Sequence, residues 1–270
     1  MSAPTAESLA ESLRPLTADP PRAAIFCDID GTLAPIVNRP EDSRIPEDVA
    51  RLLSRLGREY GYVACVSGRA AAEARRIVGV GCIAYVGSHG AELLEPGSSQ
   101  AQLLDEFVNW EGRVREFVDR RQDDRDLKLL RIRIEDKGPI KAFHWRDVPD
   151  EAAAENWLHR VANEAETGGF DIHWGRKVLE IRPPVPVDKG QAVKRMVETS
   201  GVRTALYGGD DVTDLDAFDA LEALVGSDDL DAAVCVGVRS KEGPRAIVER
   251  ADVVVDGVSG FKDVLAALVQ

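Results

Sequence analysis

The sequence predicts an α/β fold, a Rossmann-like parallel sheet core interrupted by an inserted α+β domain. Three observations predict it. Apolar runs of strand length alternate with helical periodicity in roughly the first hundred residues and again in the last eighty. Those runs are apolar at every position, as strands covered on both faces are. The middle of the chain, Glu106 to Arg182, is instead highly charged, and its strand-like segments alternate apolar with polar residues. With 270 residues, 44% of them hydrophobic, the chain can bury one large core and a smaller second unit. The division is placed at 1–105 with 184–270 for the core and 106–183 for the insert.

In chain order, the opening stretch "MSAPTAESLAESLRPLTADPP" carries acids where an export signal needs basic residues and an apolar run, so it reads as a loose segment or a short leading helix of a cytoplasmic chain. "AAIFCDI" (23–29), "YVACVSG" (62–68) and "IAYVGS" (83–88) read as strands. Between the first two lies "IPEDVARLLSRLG", a helix with Pro46 in its first turn and Val49, Leu52, Leu53 and Leu56 on one face. The insert contributes helices over 105–121 and 150–166 and half-exposed antiparallel strands over 127–136, 139–146, 170–175 and 177–183. After Pro183 the first pattern resumes: helix 189–201, strand 203–209, helix 213–224, strands 232–237 and 251–256, and a closing helix 260–269.

A net charge of −13 repels phosphate backbones and anionic lipid, which argues against nucleic acid and membrane as partners. No run of 18 apolar residues exists for a membrane span. Cys27, Cys65, Cys82 and Cys235 are widely spaced with no C-x-x-C pair, so they read as reduced core residues. A small anionic substrate remains compatible with this charge if a local cation cluster or a metal receives it.

Asp30-Gly31 is a strong signal for a tight hairpin turn. A hairpin strand with one wet face would alternate, however, whereas residues 23–27 are apolar throughout. The strand is therefore expected to be central, with Asp28 and Asp30 at its carboxyl end, where open α/β sheets bind ligands. Two residues apart on an extended strand, they point to the same side. "YGGDDVTDLDAF" supplies a second acidic cluster at the end of another apolar strand. Thr213, Asp214 and Asp216 suit a helix N-terminus; Asp210 and Asp211 are left over, and a parallel sheet brings them toward Asp28 and Asp30. Carboxylates about 4 Å apart repel by roughly 4 kcal/mol per pair at an effective dielectric of 20. Either some are protonated or a divalent cation lies among them, and an oxygen-only set suits Mg2+. "CVSGR" places Ser67 just past a strand, as an ordinary helix cap or as a donor to a phosphoryl oxygen. "VDKG" places Lys189 at the positive end of a helix, where a bound anion would relieve it.

In order, these residues resemble the four motifs of the haloacid dehalogenase superfamily of phosphohydrolases. Within it, "FCDIDGTLAPI", "SGR", "GSHGAE", "RIEDKG" with "FHWR", "GRKVLEIRP" and "GGDDVTDLDAF" resemble the trehalose-6-phosphate phosphatases, from Phe26 to Phe218. The resemblance implies that Asp28 is the nucleophile, forming an aspartyl phosphate, and that Asp30 protonates the departing sugar oxygen and then deprotonates water. It implies Mg2+ held by Asp28, the backbone carbonyl of Asp30 and Asp210, with Asp211 or Asp214 in support. Ser67 and Lys189 would steady the phosphoryl oxygens. The insert corresponds to the family's cap, with Glu135, Lys137, His144, Arg146, Arg176 and Glu180 as sugar contacts. Cross-strand charge pairing accounts equally for Glu135, Lys137 and Arg146. His89 and Arg69 are candidates for substrate contact, or for structural pairing. The family usually has Lys directly after the Gly of "GRKVLEIRP", whereas Gly175 is followed here by Arg176.

The implied reaction is hydrolysis of trehalose 6-phosphate, with other glycosyl phosphates, of sucrose phosphate or mannosyl phosphoglycerate type, as alternatives. The partners expected are the sugar phosphate and a trehalose-phosphate synthase. A silent partner of such a synthase would be expected to have lost a carboxylate. A receiver-type signalling module would lack Asp30 and the insert.

Overall fold

The computed structural model describes residues 4–37, 39–185, 188–240 and 243–269, without the side chains of Pro40 and Glu106; Val187 of the VDKG stretch lies outside the described residues. The chain divides into two units, Met1–Gln102 with Val187–Gln270, and Leu103–Pro186.

The first unit begins with helix α1 (Ala6–Thr17), capped by the Thr5 hydroxyl and burying Leu9, Leu13 and Leu16 at helical spacing. It continues through β1 (Ala23–Cys27), α2 (Glu47–Glu59), β2 (Tyr62–Val66), α3 (Ala71–Val78), β3 (Ala84–Gly87), β4 (Glu92–Leu94) and β5 (Gln102–Leu103). The second unit holds α4 (Asp105–Gln122), α5 (Arg125–Leu130), β6 (Arg133–Lys137), β7 (Ile140–His144), α6 (Glu151–Thr167), β8 (Asp171–Gly175) and β9 (Val178–Arg182). The chain returns to the first unit with α7 (Lys189–Ser200), β10 (Thr204–Gly209), α8 (Leu215–Gly226), β11 (Ala232–Arg239), α9 (Arg245–Arg250), β12 (Val253–Asp256) and α10 (Gly257–Leu268).

Strand order in the first unit is β12-β11-β10-β1-β2-β3-β4-β5. The strands from β12 to β3 pair in parallel, and β4 turns back antiparallel to β3. Alternate residues of β1 feed two cores. Ile25 and Cys27 meet α1, α2, α3 and α10 through residues such as Leu13, Leu53, Ile77 and Phe261. Ala24 and Phe26 meet α7 and α8 through Met196, Val197, Phe218 and Leu221. Both faces are thus covered, which is why every β1 residue is buried and apolar. The sequence reading lacked β4 and β5, which at three and two residues are too short to show a period.

In the second unit the sheet order is β6-β7-β9-β8, all neighbours antiparallel. Ile134, Phe143, Leu179, Ile181 and Ile172 pack on Phe117, Trp157, Leu158 and Val161 of the helices. The strand expected over 127–136 is corrected at its start. Asp124 caps a helix instead, accepting from the Asp126 amide, so 125–130 wind into α5 and β6 begins at Arg133. The apolar spacing of Leu127, Leu129 and Leu130 fits either period, and the local cap decides.

Candidate active site

Parallel register sets the site. Cys27 pairs with Gly208, and the Asp28 amide donates to the Gly208 carbonyl at 2.8 Å, so the chain ends following β1 and β10 emerge side by side. Asp28 and Asp210 are both buried there. Together with Asp214 they present carboxylate oxygens within 4.8 Å of one another. Gly31 makes the approach possible. Its φ is +92°, and a Cβ there would stand 2.1 Å from Asp210 Oδ2. The Asp30-Gly31 turn signal is therefore real, and it folds the backbone against the second acidic cluster rather than into a hairpin; the Thr32 hydroxyl reaches Asp210 Oδ1 at 3.5 Å.

Lys189, at the first turn of α7, is buried and donates to Asp28 Oδ1 at 2.7 Å and to Asp214 Oδ1 at 2.6 Å. Burial pulls its pKa down, and the Asp214 and Asp28 carboxylates outweigh that and raise it. The anion expected to relieve a lysine at a helix N-terminus is thus supplied in part by the protein itself. Asp214 also accepts from the Tyr207 hydroxyl at 2.7 Å and from the Asp210 and Asp211 amides, both at 2.9 Å. Its two oxygens serve four donors, a fully used carboxylate. Asp214 therefore shapes the loop and aims Lys189, although its oxygens lie near those of Asp28 and Asp210. Asp211 turns away, its carboxylate accepting from the Val212 amide at 2.7 Å. Tyr207 was not singled out by the sequence, where it reads as one more strand residue.

The charges do not balance. Burial pushes the Asp28 carboxyl well above its usual range; Lys189 opposes this, and Asp214 and Asp210 add to it. Asp210 is pushed up to about 7 by burial and then by Asp214 and Asp211. One ammonium faces three buried carboxylates, so the donor set fits a divalent cation, with hard oxygen atoms from Asp28 and Asp210 suited to Mg2+.

Around this centre, Ser67 is buried beyond β2, its hydroxyl oxygen accepting from the Arg69 amide at 3.2 Å, which leaves its hydrogen available to an acceptor. Arg69 forks the Asp30 carboxylate, Nε to Oδ2 at 2.6 Å and Nη2 to Oδ1 at 2.9 Å. Ser88 and His89 have φ of 51° and 59°, and the His89 ring lies against Gly68. Two successive non-glycine residues in the left-handed region mark stored strain of the kind found at functional sites.

In the second unit, register aligns Glu135, Ala142, Glu180 and His173 across all four strands on the face opposite the helices. Lys137 Nζ donates to Glu180 Oε1 at 2.9 Å, and Arg182 pairs with the other Glu180 oxygen. His144 Nε2 lies 2.6 Å from Glu135 Oε2. Glu180 is buried, which pushes its pKa up, but Lys137 and Arg182 win and hold it at about 2. Glu135, Lys137, His144 and Glu180 thus come together, with His173 and Arg182 as members the sequence reading lacked. Arg146 and Arg176 are exposed and stand outside this row, Arg176 in the β8–β9 turn, where the neighbouring Lys177 pairs with Glu151 at 2.9 Å.

This fold, with acids beyond two adjacent parallel strands, is that of the haloacid dehalogenase-like hydrolases. A hydrolase of that description from Bacteroides thetaiotaomicron has a TM-score of 0.59 at 13% identity, covering 90% of this chain and 98% of that one. The C-terminal domain of Candida albicans trehalose-6-phosphate phosphatase has a TM-score of 0.70 at 21% identity, covering 99% and 97%. The trehalose-phosphatase family profile matches residues 26–246, and the chain belongs to that family of phosphoric monoester hydrolases. A trehalose-phosphate phosphatase of Mycobacterium avium is 35% identical over 207 residues, 73% of this chain and 51% of that protein. A Mycobacterium tuberculosis protein described as an uncharacterized glycosyl hydrolase is 34% identical over 74% of this chain and 15% of its own length. The chain thus spans about half the length, or less, of these curated relatives.

Proposed function

We propose that the protein is a Mg2+-dependent phosphatase that hydrolyses trehalose 6-phosphate to trehalose and phosphate through an aspartyl phosphate on Asp28. The observation that carries this reading is the buried Asp28 held by Lys189 beside Asp210, with a second carboxylate, Asp30, two residues on. Lys189 occupies Oδ1, so Oδ2 is the oxygen for attack on phosphorus. As the new O–P bond forms, the bond from phosphorus to the sugar oxygen breaks, and Asp30 gives that oxygen a proton because an alkoxide is a poor leaving group. Asp30 then takes a proton from the water that attacks phosphorus, releasing phosphate and restoring Asp28. Ser67 and Lys189 face the phosphoryl oxygens, a largely electrostatic task. When bound, Mg2+ would be held by Asp28, Asp210 and the Asp30 carbonyl and would supply positive charge to the phosphoryl group.

For sugar recognition we assign Glu135, Lys137, His144 and Glu180, whose charged groups suit the hydroxyls of a disaccharide, with Arg146 and Arg176 as further contacts and Arg69 and His89 nearer the phosphate. The relatives described as trehalose-phosphate phosphatases support this substrate. In the same reading the enzyme works in the cytoplasm beside a trehalose-phosphate synthase that supplies it. No helix among the described residues is long and apolar enough to cross a membrane. Phosphate release across a panel of trehalose 6-phosphate, sucrose phosphate, mannosyl phosphoglycerate and glucose 6-phosphate tests the assignment. The highest kcat/KM is expected for trehalose 6-phosphate; a clear preference for another member transfers the role to that sugar, with Arg176 in place of the family's usual Lys as the first position to examine.

A further inference from the structure

Asp30 is gripped by Arg69 of the SGR stretch and by Ser43, which no motif reading assigns to the reaction. Its side chain is 35% exposed, so water could satisfy it, yet three protein donors are directed at it. Ser43, fully buried in the loop before α2, donates its hydroxyl to Oδ1 at 3.0 Å. Arg69 adds the two-pronged contact described above, and its remaining Nη1 donates to Glu73 Oε1 at 2.7 Å, one turn further on at the start of α3. Donors spent on a group that water could serve act on direction rather than on satisfaction. A planar guanidinium fork fixes the plane of a carboxylate, and Glu73 in turn fixes the guanidinium. Among the described hydrogen bonds Oδ1 accepts two and Oδ2 one, so Oδ2 keeps a lone pair.

We propose that Ser43 and Glu73, the latter through Arg69, are positioning residues that aim Oδ2 of Asp30 at the hydrolytic water. In that half of the reaction a water O–H bond breaks, its proton goes to Oδ2, the water oxygen bonds to phosphorus and the bond from Asp28 to phosphorus breaks. The inference rests on the assignment of Asp30 as the base and of Asp28 as the phosphorylated residue.

The test uses p-nitrophenyl phosphate, whose phenolate leaves without a proton, so that formation of the phosphoenzyme is separated from its hydrolysis. With enzyme in excess and Mg2+ present, single-turnover release of p-nitrophenolate should stay within about twofold of the parent in Ser43→Ala and Glu73→Gln, whereas decay of the phosphoenzyme, followed by quenched flow and intact-protein mass, should slow about tenfold or more. A residue that only supports the fold would slow both steps together. Equal losses in both steps, or none in either, overturn the proposal; Glu73, partly exposed, guards against a misfolded Ser43 variant. Asp30→Asn is run beside them. If that variant decays normally, or the parent forms no phosphoenzyme, the roles of Asp30 and Asp28 fail and this inference with them. If Asp30→Asn decays slowly while Ser43→Ala and Glu73→Gln do not, the positioning chain alone fails.

Discussion

Asp28 is prepared by its neighbours. Burial makes its carboxylate costly, Lys189 compensates on one oxygen, and the second oxygen is left for the attack on phosphorus proposed above. Replacing that oxygen in Asp28→Asn should lower turnover of a sugar phosphate by at least about a thousandfold, measured as phosphate release; substantial residual turnover would remove Asp28 as nucleophile. Asp210 gives a pH signature. With a folded pKa of about 7 against an ordinary 3.8, the folded metal-free protein holds more protons than the unfolded chain between those values. This group therefore costs stability as pH rises from 3.8 to 7, and in the proposed site Mg2+ binding would release its proton. Calorimetric titration should show Mg2+ affinity climbing by up to about tenfold per pH unit below 7 and levelling above it. Affinity that ignores pH over this range would show that Asp210 does not bind the ion. Asp28, Asp30 and Asp210 were legible in the sequence because they interrupt or follow apolar runs, and Lys189 because a cation is out of place at the positive end of a helix. Tyr207, Ser43 and Glu73 were not, since a tyrosine in a strand, a serine in a loop and a glutamate in a helix are what local propensity already expects.

At the scale of elements, the turn after β1 and the sheet of the second unit make separate demands. Gly31→Ala puts a methyl group where the Asp210 carboxylate lies and strains a φ of +92°. We expect it to destabilise the protein by at least about 1 kcal/mol in urea unfolding and to weaken Mg2+ binding at the same time. A variant with parental stability and affinity would mean that the loop adapts freely. Glu180 is an acid whose folded pKa, about 2, lies below the ordinary 4.5, so its stabilisation is present above pH 4.5 and is lost as pH falls toward 2. Glu180→Gln should cost about 1–3 kcal/mol at pH 7 and little near pH 2. An equal cost at both pH values would assign the loss to packing. The six parallel strands were readable from uniform apolarity, and the polar face of β6, β7 and β9 from alternation. The start of β6 was not, because the side chain of Asp124 converts the preceding residues into a helical turn.

For the whole molecule, the two units follow the sequence in order but not in continuity, since the first is completed only after the second has been made. The proposed chemistry depends on that return: Asp28 and Ser67 precede the second unit, and Lys189 and Asp210 follow it. Chelation of divalent metal by EDTA should silence phosphate release, with activity restored by Mg2+; full activity in EDTA would show that the buried acids work as protonated groups instead. The sequence by itself determined the six parallel strands, most of the longer helices and the class of chemistry, because caps, turns and hydrophobic periods act over a few neighbouring residues. Only the tertiary structure decided that Asp214 serves Lys189 and Tyr207, that Asp211 faces away, and that Asp30 is held by Ser43 and Arg69. Those contacts depend on strand order and register, through which one-residue steps along β1 and β10 choose which side chains meet.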